Sequence, residues 1–388
     1  MKRILFVWDA AGFGGHDISA LVALEKLAGL PEFHVGALHT GRNPRLHDEL
    51  QRLAARTGRL EVVEVPAGPV FSESFDGLFR GPRARALQAA LVDWKPDWTV
   101  HVQGFITLGL CALGACRAAG IPAVSYLPMA QRVWTLRPAL VSLAQDFVNR
   151  RWYAAPDAFI TTSARMKEML VQAHGVSPAR VAVVEYGPVV PVAPAGDRAA
   201  SRAALGLPAP ARILGVLGRV EFRQKRQDFL VRAVARHRAD LAGLVFAVVG
   251  DGPDLAAARG LAEKCGVVDQ VRFLPWQTDM AGLYAALDAV LIPSRFEGVP
   301  LVMLEAMARR IPVLGSAVDG LADFLPPECL FPSGDDRAMV ARIRALPGSP
   351  GPEVLEQLAR LVAERLNARN FAEGFAREIQ RLAAGGQP

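Results

Sequence analysis

The chain has 388 residues, 51% of them hydrophobic, and a formal net charge of +6 at pH 7. That length predicts two domains, and that composition excludes disorder as a description of the whole. The charge is spread thinly, +4 through position 190 and +2 beyond it, which argues against nucleic acid as the main partner and suits an anionic ligand.

The first predicted strand is Arg3–Trp8. Its basic, then apolar, opening looks like a secretion signal, but Asp9 arrives too early, so a buried strand is the better reading. Ala11-Gly12-Phe13-Gly14-Gly15-His16-Asp17 follows and leads into an apolar helix. Gly14 and Gly15 allow a tight turn and close approach to a ligand, although the spacing is not that of a dinucleotide fingerprint. His16 is either a helix-start partner of Asp17 or an acceptor-side contact. Strands Phe33–Leu38, Leu60–Val65 and Trp98–Val102 come next, with His101 and Gln103 at the end of the last as acceptor-side candidates. A purely structural histidine is the alternative there. The uncharged stretch from Thr99 to Cys116 is broken by His101, Gln103 and glycines, so it reads as a strand and a helix rather than a membrane span. Strands Ala123–Tyr126 and Ala158–Thr161 complete the first half. Between them, Trp134, Leu140, Leu143, Phe147 and Trp152 stand among Arg132, Arg137, Arg150 and Arg151. That mixture fits either one packed helix face or contact with an anionic membrane surface.

The rhythm breaks after Glu185, where Pro188, Pro191, Pro194 and Gly196 mark a linker over 188–199. Alternation then resumes with Ile213–Leu217, Val245–Val249, Val271–Leu274, Ala289–Pro293 and Pro312–Leu314. Short apolar strands alternating with helices predict an α/β protein with two doubly wound, Rossmann-like parallel-sheet domains facing a deep cleft. The expected divisions are 1–187, the linker, and 200–370, with a C-terminal helix over about 371–388 returning to the first domain.

Chemistry concentrates in the second half. Gly218-Arg219 follows its first strand and Lys225 comes six residues later, a pairing able to neutralise a diphosphate. Gly250-Asp251-Gly252-Pro253 ends the next strand, either as a plain turn or as a close approach to a ligand. Trp276 precedes Asp279, the predicted cap of a helix, and stands either over a nucleobase or in the core. The most informative run is Ser294-Arg-Phe-Glu297-Gly298-Val299-Pro300-Leu301, continuing to Glu305. It predicts a loop that ends at a helix N-terminus, with Pro300 in the first helical position. Unpaired N–H groups there attract phosphate. Glu305 falls about five residues into the helix, roughly 7.5 Å along it. That distance matches the reach from a diphosphate to a ribose, which leaves Glu297 for sugar hydroxyls at the mouth.

Other chemistries lack their parts. No metal-ligand spacing, nucleophile elbow or P-loop occurs, so no cofactor and no required metal is expected. Cys111, Cys116, Cys265 and Cys329 lack paired spacing, which suggests a reduced, cytoplasmic protein, peripheral at the inner membrane face if the arginine-rich helix touches lipid. A monomer or homodimer is expected.

Taken together, Glu297 and Glu305 in their E-x7-E setting, Gly218-Arg219 with Lys225 and Asp228, and the Gly250–Pro253 turn resemble the retaining glycosyltransferases of family 4, which have the GT-B fold. The first half resembles them more loosely, through Gly14-Gly15, Pro96-Asp97, His101 and Ser163. The resemblance implies a nucleotide-diphosphate sugar as donor, UDP- or GDP-linked, in the second domain. It implies a sugar, glycolipid or other hydroxyl acceptor in the first domain, in polysaccharide or glycolipid biosynthesis. It also implies that Arg219 and Lys225 bind the diphosphate, Glu305 the ribose and Glu297 the donor sugar, with the backbone of Gly298 to Leu301 near the phosphates. Two departures concern the acceptor side. Pro128 stands about where many members carry a histidine, and Tyr186-Gly187-Pro188 replaces an Asn-Gly turn. They motivate two alternatives, a nucleotide-sugar-binding protein without transfer activity and a GT-B sugar-nucleotide epimerase.

Overall fold

The computed structural model describes residues 1–66, 81–132, 140–188 and 196–386, with the side chains of 140, 141 and 144 excepted. The chain divides into two compact units, Met1–Val189 with Ala368–Pro388, and Val190–Asn367.

Among the described residues, the first unit has a seven-stranded sheet in the order β3-β2-β1-β4-β5-β6-β7. The strands are β1 (Lys2–Trp8), β2 (Phe33–His39), β3 (Leu60–Glu64), β4 (Trp98–Val102), β5 (Ala123–Tyr126), β6 (Ala158–Thr161) and β7 (Val181–Val183), all paired in parallel. Ile4 to Trp8 of central β1 are all buried, because helices cover both faces of such a sheet. Edge strand β3 is less apolar, with exposed or half-buried positions from Glu61 to Glu64. The order reverses between β1 and β4, so the loops after these two strands flank the point where doubly wound sheets take ligands.

The helix Ala368–Ala383 belongs to this unit and packs against the helix Gly15–Ala28. Phe371, Phe375, Ile379 and Leu382 recur at helical spacing and are all buried. Phe375 stacks on Phe6 with ring centroids 6.0 Å apart and meets Tyr126 at 5.6 Å, while Phe371 meets Tyr186 at 6.0 Å. Burial of each phenylalanine contributes about 2–3 kcal/mol, enough to hold the helix in place.

In the second unit the order is β10-β9-β8-β11-β12-β13, again among the described residues. The strands are β8 (Arg212–Leu217), β9 (Leu244–Val249), β10 (Val271–Leu274), β11 (Ala289–Ile292), β12 (Val313–Ser316) and β13 (Leu330–Phe331). The reversal lies between β8 and β11. The loops that follow these strands carry Lys225 and Glu297. The sequence reading missed β7 and β13, edge strands of three and two residues, too short to form an apolar run. Part of the linker, 189–195, lies outside the described residues.

Candidate active site

Glycine geometry at two strand ends builds the floor of the site. Gly218 and Gly250 leave β8 and β9 at φ +120° and +140°, values that side-chain-bearing residues rarely adopt. The strand ends close on each other, the Val220 N–H donating to the Asp251 carbonyl at 2.9 Å. A Cβ on Gly250 would run into the Gly218 carbonyl oxygen, and one on Gly252 into backbone atoms of Val220. Of the two readings of this turn, the structure supplies a packing reason for both glycines: backbone meets backbone. Asp251 is exposed, and its carboxylate accepts the Gly252 N–H.

The loop thus anchored delivers Lys225. Its Nζ donates to Glu297 Oε1 at 2.7 Å, across 72 residues of sequence. Ser294 Oγ donates to the same oxygen at 2.6 Å and Gln224 Nε2 to Oε2 at 3.3 Å. Glu297 is 4% exposed, so this carboxylate is held almost wholly by protein donors. Its backbone is fixed as well. The Glu297 N–H donates to Asp319 Oδ2 at 2.9 Å and the Gly320 N–H to the Gly298 carbonyl at 3.1 Å. Asp319 holds φ +40°, a left-handed backbone that aspartate tolerates better than most residues. Arg219 does not join the group. Its guanidinium, 59% exposed, pairs with Glu221 at 3.2 Å. Nothing in the local sequence distinguishes Arg219 from Lys225 in this respect, since which cation turns inward is decided by the loop.

The helix Leu301–Ala308 begins one residue later than expected, with Pro300 as its N-cap rather than its first turn, and no side chain caps it. The Met303 N–H closes on the Pro300 carbonyl at 3.0 Å, so the N–H groups of Leu301 and Val302 are the ones this end presents to a ligand. Val299 is buried beneath it. Glu305 follows along the helix, 9% exposed, and accepts a hydrogen bond from the Tyr284 hydroxyl at 2.6 Å. Burial pushes its carboxyl above the ordinary range, while Tyr284 and Arg309 oppose the shift. Asp279 caps the helix Met280–Ala286 by accepting the Gly282 N–H at 2.9 Å. Trp276, on the loop before it, is 55% exposed, which overturns the core alternative for this side chain. Tyr284, Gln224 and Asp319 were not legible as site residues. Ser294 was nearest to being so, three positions before Glu297 in the same motif.

In the first unit, Gly14 is the N-cap and Gly15 the first residue of the helix Gly15–Ala28. The Asp17 carboxylate accepts the Gly14 N–H at 2.7 Å and lies 3.3 Å from His16 Nε2. Burial raises the Asp17 carboxyl above its usual range. The His16 ring abuts Gly104, so the loops after β1 and β4 meet at this residue. The other two acceptor-side candidates are interior. His101 is 1% exposed, bonded through Nε2 to Thr99 Oγ1 at 3.2 Å, and burial pushes it down to about 3, so it stays neutral. Gln103 spends its amide on the Ile106 and Leu108 carbonyls and accepts from Ser125 Oγ. It shapes the loop instead of presenting itself to a ligand.

One cluster with metal-ligating atoms does form among the described residues. His39, His47 and Glu64 bring donor atoms within 4.8 Å of one another from three separate elements, which linear spacing could not reveal. The Gly41 N–H donates to His39 Nδ1 at 3.2 Å. That bond leaves the ring proton on Nε2, the atom facing His47 Nδ1 at 3.4 Å. Ligating histidines do the reverse and donate through their second nitrogen, so His39 is not arranged as a metal ligand here.

For the proposed lipid contact, Trp134 and Arg137 lie outside the described residues. On the helix Leu140–Tyr153, Leu143 and Phe147 are 49% and 75% exposed beside exposed Arg150 and Arg151, whereas Trp152 is buried. Among the described residues no helix is long and apolar enough to cross a membrane.

Comparison with known proteins covers both units. The profile of Glycosyltransferase Family 4 matches residues 18–187, and that of Glycosyl transferases group 1 matches residues 211–347. A D-inositol 3-phosphate glycosyltransferase of Mycobacterium tuberculosis is 39% identical over 172 residues, which cover 42% of this chain and 35% of the relative. The chain thus spans about a third of the length of the curated relatives it matches. Among solved structures, Anabaena Alr3699/HepE in complex with UDP and glucose superposes with a TM-score of 0.77 at 18% identity, covering 98% of this chain and 100% of the other. Sucrose-phosphate synthase from Thermosynechococcus elongatus gives 0.77 at 20% identity, over 99% and 100% of the two chains. At such identities the likeness shows the fold, which is GT-B.

Proposed function

This chain belongs to the family 4 glycosyltransferases, and we propose that it transfers a sugar from a UDP- or GDP-sugar to a hydroxyl acceptor with retention of configuration, in polysaccharide or glycolipid assembly. One observation carries the reading. Lys225 and Glu297 meet at 2.7 Å beside an uncapped helix N-terminus, with Glu305 farther along the same helix. The two acids then divide the donor between them, Glu297 taking sugar hydroxyls and Glu305 the ribose. Lys225 and the helix end stabilise the charge that builds on the departing diphosphate, the role a bound cation fills in other transferases. With no protein nucleophile required, the leaving oxygen takes the acceptor proton on the face where the new bond forms. The UDP found with Alr3699/HepE supports a nucleotide donor of this type. The first unit, with His16 between two strand-end loops, is left to hold the acceptor.

The test is to incubate the protein with UDP- and GDP-sugars and hydroxyl acceptors in the presence of a chelator, and to read products by NMR. A glycoside with the donor's anomeric configuration is expected. An inverted product, or an epimerised free nucleotide sugar, would refute the reading, and binding without any product would favour the transfer-inactive alternative.

The exposed Leu143 and Phe147 with Arg150 and Arg151 support a second element of the proposal, peripheral contact with anionic lipid. In flotation assays the protein is expected to rise with vesicles containing phosphatidylglycerol, and a Phe147→Ser, Arg150→Ser variant to stay behind. Equal recovery of both would remove the lipid contact.

A further inference from the structure

We propose that Tyr284 is a positioning residue for nucleotide recognition: its hydroxyl holds one oxygen of the Glu305 carboxylate and leaves the other for a ribose, so that preference for a ribonucleotide over a 2′-deoxyribonucleotide is set through this tyrosine. The inference deepens, and rests on, the reading of the second unit as a nucleotide-sugar site.

Tyr284 is 1% exposed on the helix Met280–Ala286, 21 residues before Glu305. Its hydroxyl has one proton and two acceptors in range. Glu305 Oε2 at 2.6 Å is short and charge-assisted, while the Val302 carbonyl at 3.4 Å is long, so the proton goes to the carboxylate. Arg309 lies 4.6 Å over the tyrosine ring and donates to the Glu305 backbone carbonyl at 3.0 Å, which fixes both partners. Oε1 has no hydrogen-bond partner among the described residues. A carboxylate with one oxygen anchored and one open is oriented to accept hydroxyl protons along one direction, as a vicinal diol requires.

The surroundings make the tyrosine matter. Burial disfavours the charged carboxylate, and the tyrosine hydrogen bond works against that cost. Strands β11 and β12, packed against this helix, bring no titratable side chain. The helix Pro352–Glu364, also packed on it, carries Glu353, Glu356, Arg360 and Glu364, of which Glu356 is paired by Arg310 and Arg360. Tyr284 and Arg309 are therefore the groups that keep Glu305 ionised and aimed.

The test is calorimetric titration with UDP and GDP and their 2′-deoxy counterparts, on the wild type, Tyr284→Phe and, as a second hydroxyl-free variant, Tyr284→Met. The wild type is expected to prefer the ribonucleotide about tenfold, the value of one hydrogen bond to a charged group, and both variants to lose most of that preference. In turnover the loss is read in the donor KM more than in kcat, and the donor KM of the variants rises more steeply as pH falls. A wild type that prefers ribose alongside variants that prefer it equally would overturn the role of Tyr284 and leave the nucleotide-sugar reading standing. A wild type that binds nucleotide without regard to the 2′-hydroxyl would overturn this inference through Glu305. Absence of nucleotide binding would overturn the reading beneath it.

Discussion

Glu297→Ala is expected to lower the transfer rate by about a hundred- to a thousandfold while the protein stays folded. That range is what removal of one preorganised polar group from a transition-state site costs. Its donors include Lys225, Ser294 and Gln224, all gathered at the strand ends instead of in a core. The two hydrogen bonds that shape the loop, from the Glu297 N–H to the Asp319 carboxylate and from the Gly320 N–H to the Gly298 carbonyl, do not involve the Glu297 side chain and survive the substitution. Lys225 is 20% exposed and can turn to water once its partner is gone, so no buried cation is stranded. Steady-state kinetics with near-UV circular dichroism checks both halves of the expectation. A variant that transfers at the wild-type rate would show that this carboxylate is structural.

Lys225→Ala is expected to weaken nucleotide-sugar binding by about a hundredfold, more than the loss of one cation alone. The reason lies in what remains. With Lys225 removed, the Glu297 carboxylate is left 4% exposed and without this ion pair, facing an incoming dianion. Repulsion is then added to the lost attraction. A double-mutant cycle separates the two contributions. Lys225→Ala with Glu297→Ala should bind nucleoside diphosphate more tightly than Lys225→Ala alone, even though it transfers more slowly. Arg219→Ala should be milder, because that side chain is solvated and paired with Glu221. Equal losses at 219 and 225 would mean that Arg219 leaves Glu221 when the donor arrives.

The candidate site of the second unit was more legible in the sequence than that of the first, for a physical reason. Glu297, Gly298 and Glu305 lie on one loop and one helix, where spacing along the chain translates directly into spacing in space. The meeting of Lys225 with Glu297 is nonlocal, and only the adjacency of β8 and β11 brings it about. Tyr284 was invisible because an aromatic residue before a buried strand reads as core. It is core, apart from one hydroxyl. His101 and Gln103 left two readings open in the sequence. Polar residues at a strand end fit a ligand or a structural role, and here Thr99, Ser125 and two loop carbonyls engage them. The shift of Pro300 from first turn to N-cap is the usual one-residue uncertainty of a helix boundary.

In the proposed site a diphosphate is held by Lys225 at the head of the Leu301–Ala308 helix. Calorimetric titration of UDP and GDP against UMP and GMP, on the wild type and on Lys225→Ala, tests that most directly. The wild type should bind one of the diphosphates well over tenfold more tightly than its monophosphate, and Lys225→Ala should erase most of that difference. A wild type indifferent to the second phosphate, or a difference untouched by the loss of Lys225, would rule out diphosphate binding by Lys225.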